Sequence, residues 1–176
     1  ETIDKIDMMP QVELLKDKGF EILYLTENVD EFVLQVLMNY MEKTFQNASS
    51  DKLDLDTDEE KEKLKKANED SKDMFNAMKE VIKDEVQDIR FTHRLKNHPV
   101  CLTSEGAISV KKEKTLNQMP NNQGIKAQTI LEINEEHEIA KKLKALYKDD
   151  KEMLEKYTKV LYAQARLIEG LTIENP

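Results

Sequence analysis

QTILEINEEHEI, residues Gln128–Ile139, decides how this chain reads. Ile130-Leu131-Glu132-Ile133 is a short apolar run with two β-branched residues, which suits a strand. Asn134 then offers a helix N-cap, because its side-chain oxygen can accept from an orphan N–H of a first turn. Glu135 and Glu136 follow, placing negative charge at the positive end of a helix dipole. One buried strand thus hands directly into one helix. Partners for that strand are expected before it, and a helical appendage after it.

The partners lie just upstream. In Val86–Leu95 the residues Ile89, Phe91, His93 and Leu95 share one parity, and Asp88, Arg90, Thr92 and Arg94 the other. That alternation predicts a half-buried strand with a basic outer face. Lys96-Asn97-His98-Pro99 is a turn and Val100-Cys101-Leu102-Thr103 a second strand, so Val86–Thr103 reads as a hairpin. Before it, Leu64, Ala67, Ser71, Met74, Phe75, Met78, Val81 and Ile82 trace one stripe at helical period, predicting a single helix over 58–84. Its first half is nearly all charge and projects into water.

The first 47 residues form a separate unit. A helix ends over Gln11–Lys18, with Gly19 as a left-handed cap after a basic last turn. Phe20–Leu25 is apolar enough for a strand covered on both faces. A helix over 30–42 carries Phe32, Val33, Val36, Leu37, Tyr40 and Met41. Residues 48–57 are an acidic linker. Its Asp54–Glu59 stretch lacks the glycine and glutamate that a calcium loop needs, and reads as a solvated lead into a helix cap. The fold class expected is α+β: the end of an α/β unit (1–47), the linker, then a small three-stranded sheet covered by helices (58–176). The chain reads as cut at both ends, starting without Met and stopping at Asn175-Pro176, a cap-and-N1 pair.

Composition narrows the function classes. The 176 residues are 36% charged with net charge −9, against about 25% charged in ordinary globular chains. That acidity argues against nucleic acid as a partner, since such binding rests on Lys and Arg neutralising phosphates. Arg90, Arg94 and Lys111–Lys114 are the residues a nucleic-acid reading would need. No apolar run approaches the roughly 20 residues that span a bilayer, and no signal peptide is evident. Cys101 is the single cysteine, which fits a reducing compartment, and a cytoplasmic location is expected. The three histidines match no metal spacing, a Cys101–His nucleophile pair has no support, and the four glycines are isolated. No catalytic, cofactor or metal site is expected in this stretch.

Two segments invite binding instead of chemistry. Residues 107–119 are weakly amphipathic, with Ile108, Leu116 and Met119 near one face, and read either as a loosely packed surface segment or as an apolar strip for other polypeptides. Residues 150–169 form a helix in which Met153, Leu154, Tyr157, Val160, Leu161, Ala165, Leu167 and Ile168 cover more than half the circumference. So wide an arc needs more than one packing partner. One stripe serves its own domain. The other suits a second chain, in a symmetric dimer, or a following helix of the same chain.

Four stretches resemble a known family in order and spacing. Lys18–Phe32, KGFEILYLTENVDEF, resembles the end of the middle domain of the ninety-kilodalton heat-shock chaperones. Phe91–Leu95, FTHRL, and Leu131–Ile139, LEINEEHEI, resemble hallmarks of their C-terminal domain, and Gly170–Pro176, GLTIENP, the loop before their last helix. The resemblance implies a homodimeric, ATP-driven chaperone whose ATP and magnesium site lies upstream, with no cofactor in this stretch. It implies dimerisation through a four-helix bundle to which 150–169 contributes the first helix. It also implies client-polypeptide contact at positions matching Glu31, Phe32 and Gln35 and along 107–119, where Lys112 and Thr115 depart from the usual apolar pattern. The alternative that composition and pattern leave open is a dimerisation or regulatory domain of a cytosolic α/β enzyme.

Overall fold

The computed structural model describes residues 2–50, 55–83, 85–105, 113, 116, 127–171 and 173. Its architecture is α+β. The centre is a three-stranded sheet of β3 (Asp88–Thr92), β4 (Val100–Glu105) and β5 (Gln128–Asn134), in the order β3-β5-β4. Before it come α1 (Ile3–Asp7), α2 (Pro10–Asp17), α3 (Asp30–Leu37), the two-residue strands β1 (Asn39–Tyr40) and β2 (Lys43–Thr44), α4 (Asp58–Asp70) and α5 (Lys72–Val81). After it come α6 (Glu138–Asp149) and α7 (Lys151–Ile168).

The expected hairpin does not form. β5 lies between the other two strands, parallel to β3 (Asp88↔Ile130 through Thr92↔Asn134) and antiparallel to β4 (Val100↔Ile133 through Glu105↔Gln128). The physical reason is visible at Asn134. Its N–H donates to the Pro99 carbonyl (2.9 Å), and its side-chain amide donates to the carbonyls of Lys96 and His98 (both 3.1 Å). The 93–99 link is therefore pinned across the end of β5 and cannot close as a tight turn between β3 and β4. The most apolar strand gains ladder partners on both sides, which satisfies its buried backbone groups.

Asn134 is also not the helix cap that the sequence suggests. Its oxygen accepts from Glu136 N–H (3.1 Å) in a turn, and α6 begins after it, with His137 Nδ1 accepting from Ile139 N–H (3.1 Å). Asn134 belongs to the sheet instead, because its amide satisfies the link's carbonyls.

One face of the sheet is apolar. Ile89, Phe91, Val100, Leu102, Leu131 and Ile133 pack with Met74, Phe75 and Met78 of α5, Leu143 of α6, and Leu154, Leu161 and Ala165 of α7. Phe75 meets Phe91 edge-on, with centroids 4.8 Å apart. The opposite face, expected to be a basic outer surface, is covered: Thr92 and Arg94 are buried. Glu132, 1% exposed, explains why. It accepts from Arg90 Nε and Nη2 (3.1 and 2.7 Å), and Arg94 Nη1 lies 3.5 Å from its second oxygen. Arg94 Nη2 donates to the Ala48 carbonyl (3.0 Å).

The single helix expected over 58–84 is two. Thr57 starts α4 with a capping box, its hydroxyl accepting from Glu60 N–H and the Glu60 carboxylate accepting from Thr57 N–H. The Thr57 N–H and the Thr57 hydroxyl both donate to the Glu60 carboxylate and lower its pKa from the ordinary value. Ser71, buried and at φ −105°, ψ 5°, breaks the rod. The break lets α4 lie along the β3 edge while α5 lays its methionines and Phe75 on the sheet.

In the first unit, Gly19 takes φ +76° after α2, as its role as a left-handed cap requires. Phe20–Leu25 forms no regular element and pairs with no strand among the described residues. A strand needs a neighbour, and here Ile22 and Tyr24 instead pack on Ile6, Met9 and Val12. The next helix stops at Leu37, not 42: Met38 leaves it at φ 56°, and β1 turns into β2 through Met41 and Glu42, both at positive φ as tight two-residue hairpins require.

Candidate functional site

The surface with the most pattern is the outer side of α7. Asp150 caps the helix, its carboxylate accepting from Met153 N–H (3.0 Å). Leu154, Thr158, Leu161 and Ala165 form the inward stripe and are buried. Thr158 sits in that stripe without penalty because its hydroxyl donates to the Leu154 carbonyl (2.8 Å). Leu154, Leu161 and Ala165, expected in a dimer contact, thus lie in the chain's own core. Tyr157 and Ile168 are partly buried. Met153, Val160 and Leu167 face solvent at 37%, 64% and 60% exposure. Their spacing of seven places them in one row, since seven residues nearly complete two helical turns.

The helix that presents this row is anchored along its length. Glu85 accepts from Tyr162 Oη (3.1 Å) and Arg166 Nη1 (3.3 Å), and the Arg166 guanidinium lies over the Tyr162 ring. Burial holds the Tyr162 phenol above its ordinary value, with Arg166 opposing. The far end closes in a Schellman pattern: Leu171 N–H donates to the Arg166 carbonyl (2.8 Å), Gly170 N–H to that of Leu167 (2.9 Å), and Gly170 stands at φ +67°. Leu171 packs on the core.

The family model described as Hsp90 protein matches residues 1–176. The chain belongs to the Hsp90 family. It is 51% identical over 176 residues to the chaperone protein HtpG of Clostridium perfringens strain 13, covering all of this chain and 28% of the relative. It is 45% identical, with the same coverage, to the chaperone protein HtpG of Bacillus subtilis strain 168. The chain therefore spans little more than a quarter of the length of the curated relatives it matches.

Within this Hsp90-family chain the positions expected to contact client polypeptides are scattered in kind. Glu31 and Phe32 on α3 are partly buried and Gln35 is exposed. Around them stands apolar surface that the helical stripe alone would place in a core: Val33, Val36, Leu37 and Met38 are all exposed, Val36 at 83%. The stripe is legible in the sequence, but not which way it faces. Leu116 lies in a helical turn and is partly buried. Ile108 and Met119, and most of 107–119, lie outside the described residues.

The buried ion cluster on the sheet was missed by sequence reasoning. Its signal was Glu132 inside an otherwise apolar strand, with Arg90 and Arg94 at alternate positions of a second one. A carboxylate in such a run needs cations opposite it. Cys101 shares this face, with Sγ 3.9 Å from Glu132 Oε2. Burial first, then the Glu132 charge, pushes its thiol well above the ordinary range, so it is held protonated and a poor nucleophile.

The histidines are accounted for by carboxylates and a cap. His93 lies 3.6 Å from Asp56 and 3.8 Å from Glu135, His98 lies 3.5 Å from Glu13, and His137 caps α6. Among the described residues no three His, Cys, Asp or Glu side chains converge on a metal position. Among the described residues Gly19 and Gly170 stand at positive φ, each just past the end of a helix. No helix of the described residues is long and apolar enough to cross a membrane.

Proposed function

We propose that this chain is the carboxyl-terminal part of a homodimeric molecular chaperone, supplying part of its dimer contact and part of its client surface. Family membership makes chaperone action the starting point. The observation that carries the dimer reading is the row Met153, Val160 and Leu167, exposed about 100° around the helix from the buried Leu154 and Leu161. Seven-residue spacing of apolar side chains is the seam of helix–helix pairing between chains. Symmetric pairing would set the row against its own copy, with further apolar area from sequence that follows α7 in the longer protein. Client contact is placed on Glu31, Phe32 and Gln35 of α3, and on Ile108, Leu116 and Met119. The exposed apolar surface of α3 supports that placement, since patches of this kind mark interaction sites. Unfolded or partly folded polypeptides are the partners. ATP and magnesium act in other parts of the longer protein.

Light scattering over a concentration series tests the dimer. Val160→Asp and Leu167→Asp should lower the mass toward that of one chain without changing the circular dichroism spectrum. An unchanged mass in both variants, in this chain and in the longer protein, would end the reading of α7. Binding of a labelled unfolded polypeptide tests the client surface: Phe32→Ala and Leu116→Asp should each weaken it, and equal binding by both would remove these positions from it.

A further inference from the structure

The exit of α7 is tied to α2 by one buried amide. Gln11, 4% exposed on α2, points its Nε2 at two elements at once: Glu169 Oε1, at 3.2 Å, and the Leu102 carbonyl on the outer edge of β4, at 3.5 Å. Glu169 is itself 4% exposed and occupies the C-cap of α7. That is an unfavourable place for a carboxylate. The helix dipole presents negative charge there, and burial withdraws the water that would solvate the group. A donor reaching in from another element offsets part of that cost.

The other contacts between α2 and the sheet are of a different kind. Lys96 with Asp17, and Asn97 with Glu13, are exposed pairs, and such pairs contribute little. Gln11 is the one side chain of α2 that meets both the sheet and α7 through buried polar bonds among the described residues. Its Oε1 is buried without a hydrogen-bond donor among those residues. The amide is therefore strongly placed on one side and unmatched on the other, which holds the contact without making it costly to open.

We propose that Gln11 and Glu169 form a latch between α2 and the last turn of α7. While α2 sits on the sheet, the latch holds the Schellman turn at Gly170 and fixes the direction in which the chain leaves α7. When α2 is drawn away, Glu169 loses the Gln11 bond and the turn loosens. The coupling is reciprocal, so loosening the α7 exit also loosens α2. The latch is internal to one chain and stands whether or not α7 pairs with a second copy.

Amide hydrogen exchange on the full chain reads the latch directly. Gln11→Leu should speed exchange at residues 166–171 about tenfold, the equivalent of one hydrogen bond to a charged group, while residues 139–149 of α6 keep their protection. Glu169→Ala should do the same to residues 12–18. The exchanged pair Gln11→Glu with Glu169→Gln, which restores one amide–carboxylate bond, should bring both regions back to within about threefold of the starting rates. If Gln11→Leu does not fold, Gln11→Asn withdraws the amide by one methylene and carries the same expectation. The latch is overturned by unchanged exchange at 166–171, by a rise there matched in α6, or by failure of the exchanged pair to restore protection.

Discussion

The side-chain amide of Asn68 pairs with the backbone of Phe91 as a neighbouring strand would. Phe91 N–H donates to Asn68 Oδ1 (2.7 Å), and Asn68 Nδ2 donates to the Phe91 carbonyl (3.2 Å) and to the Leu64 carbonyl (3.0 Å). β3 is an edge strand, and an edge leaves a row of backbone groups unpaired. One α4 side chain satisfies a donor and an acceptor there and fixes where α4 crosses. Asn68→Leu leaves both groups buried without partners, and should cost about 2–3 kcal/mol. Asn68→Asp keeps the acceptor alone and should fall between. Urea unfolding measures the first, and faster exchange of the Phe91 amide locates it. Equal stability of Asn68→Leu and the parent would show that the pairing contributes nothing.

Glu132 holds the covered face of the sheet together through two arginines of unequal burial. Arg94 is 8% exposed, while the Arg90 side chain retains 31%. Removing one member of a buried ion group strands the charge that remains. Glu132→Gln should therefore destabilise by about 3 kcal/mol, whereas Arg90→Met, which removes the more hydrated cation, should cost about 1 kcal/mol. Urea midpoints of the two variants test the order; a larger loss for Arg90→Met would reverse the assignment of which cation is stranded.

The two sides of α7 should separate stability from association. Leu161 is 4% exposed in the core, so Leu161→Ala should cost about 3 kcal/mol. Its neighbour Val160 faces out, and Val160→Ala should stay within about 0.5 kcal/mol of the parent in dilute protein, where association does not add stability. A large loss for Val160→Ala at every concentration would mean that the row is packed within one chain.

How much of this was legible follows the range of the forces involved. Strand positions could be read because alternation at Ile89, Phe91 and the apolar run 130–133 is local. Strand order could not, because it turned on Asn134 bonding carbonyls some 36–38 residues earlier in the chain. The wide apolar arc of α7 was plain, and it signalled two packing partners. Which stripe faces inward is set by contact with β4 and α5. The outward Val160 and the inward Leu161 are adjacent in the chain and differ by only one residue's rotation of about 100°. The break at Ser71 was hidden for the same reason: its logic lies in Asn68 meeting Phe91. The client segment 107–119 stays an expectation, apart from the partly buried Leu116.

Cys101 gives the chain a defined alkaline weakness. Unfolded, a thiol ionises near its ordinary value of about 8.5. Folded, burial and the Glu132 charge raise it well above that, with Arg94 opposing. The folded state thus keeps a proton that the unfolded state has lost. The raised thiol's contribution is complete below the unfolded value and is lost as pH rises from there toward the folded one. Each pH unit within that window should remove about 1.4 kcal/mol. Lysines whose values are raised by exposed partners, such as Lys16 and Lys96, also bear on alkaline stability, so the thiol must be isolated by difference. The measurement is the urea midpoint of the parent and of Cys101→Ala at pH 7 and pH 10. The parent's lead over the variant should shrink across that interval, and Cys101 should resist a thiol reagent at pH 8 until urea unfolds the chain. A lead that stays constant with pH, or prompt labelling of the folded protein, would show that the thiol ionises as freely in the sheet as it does in water.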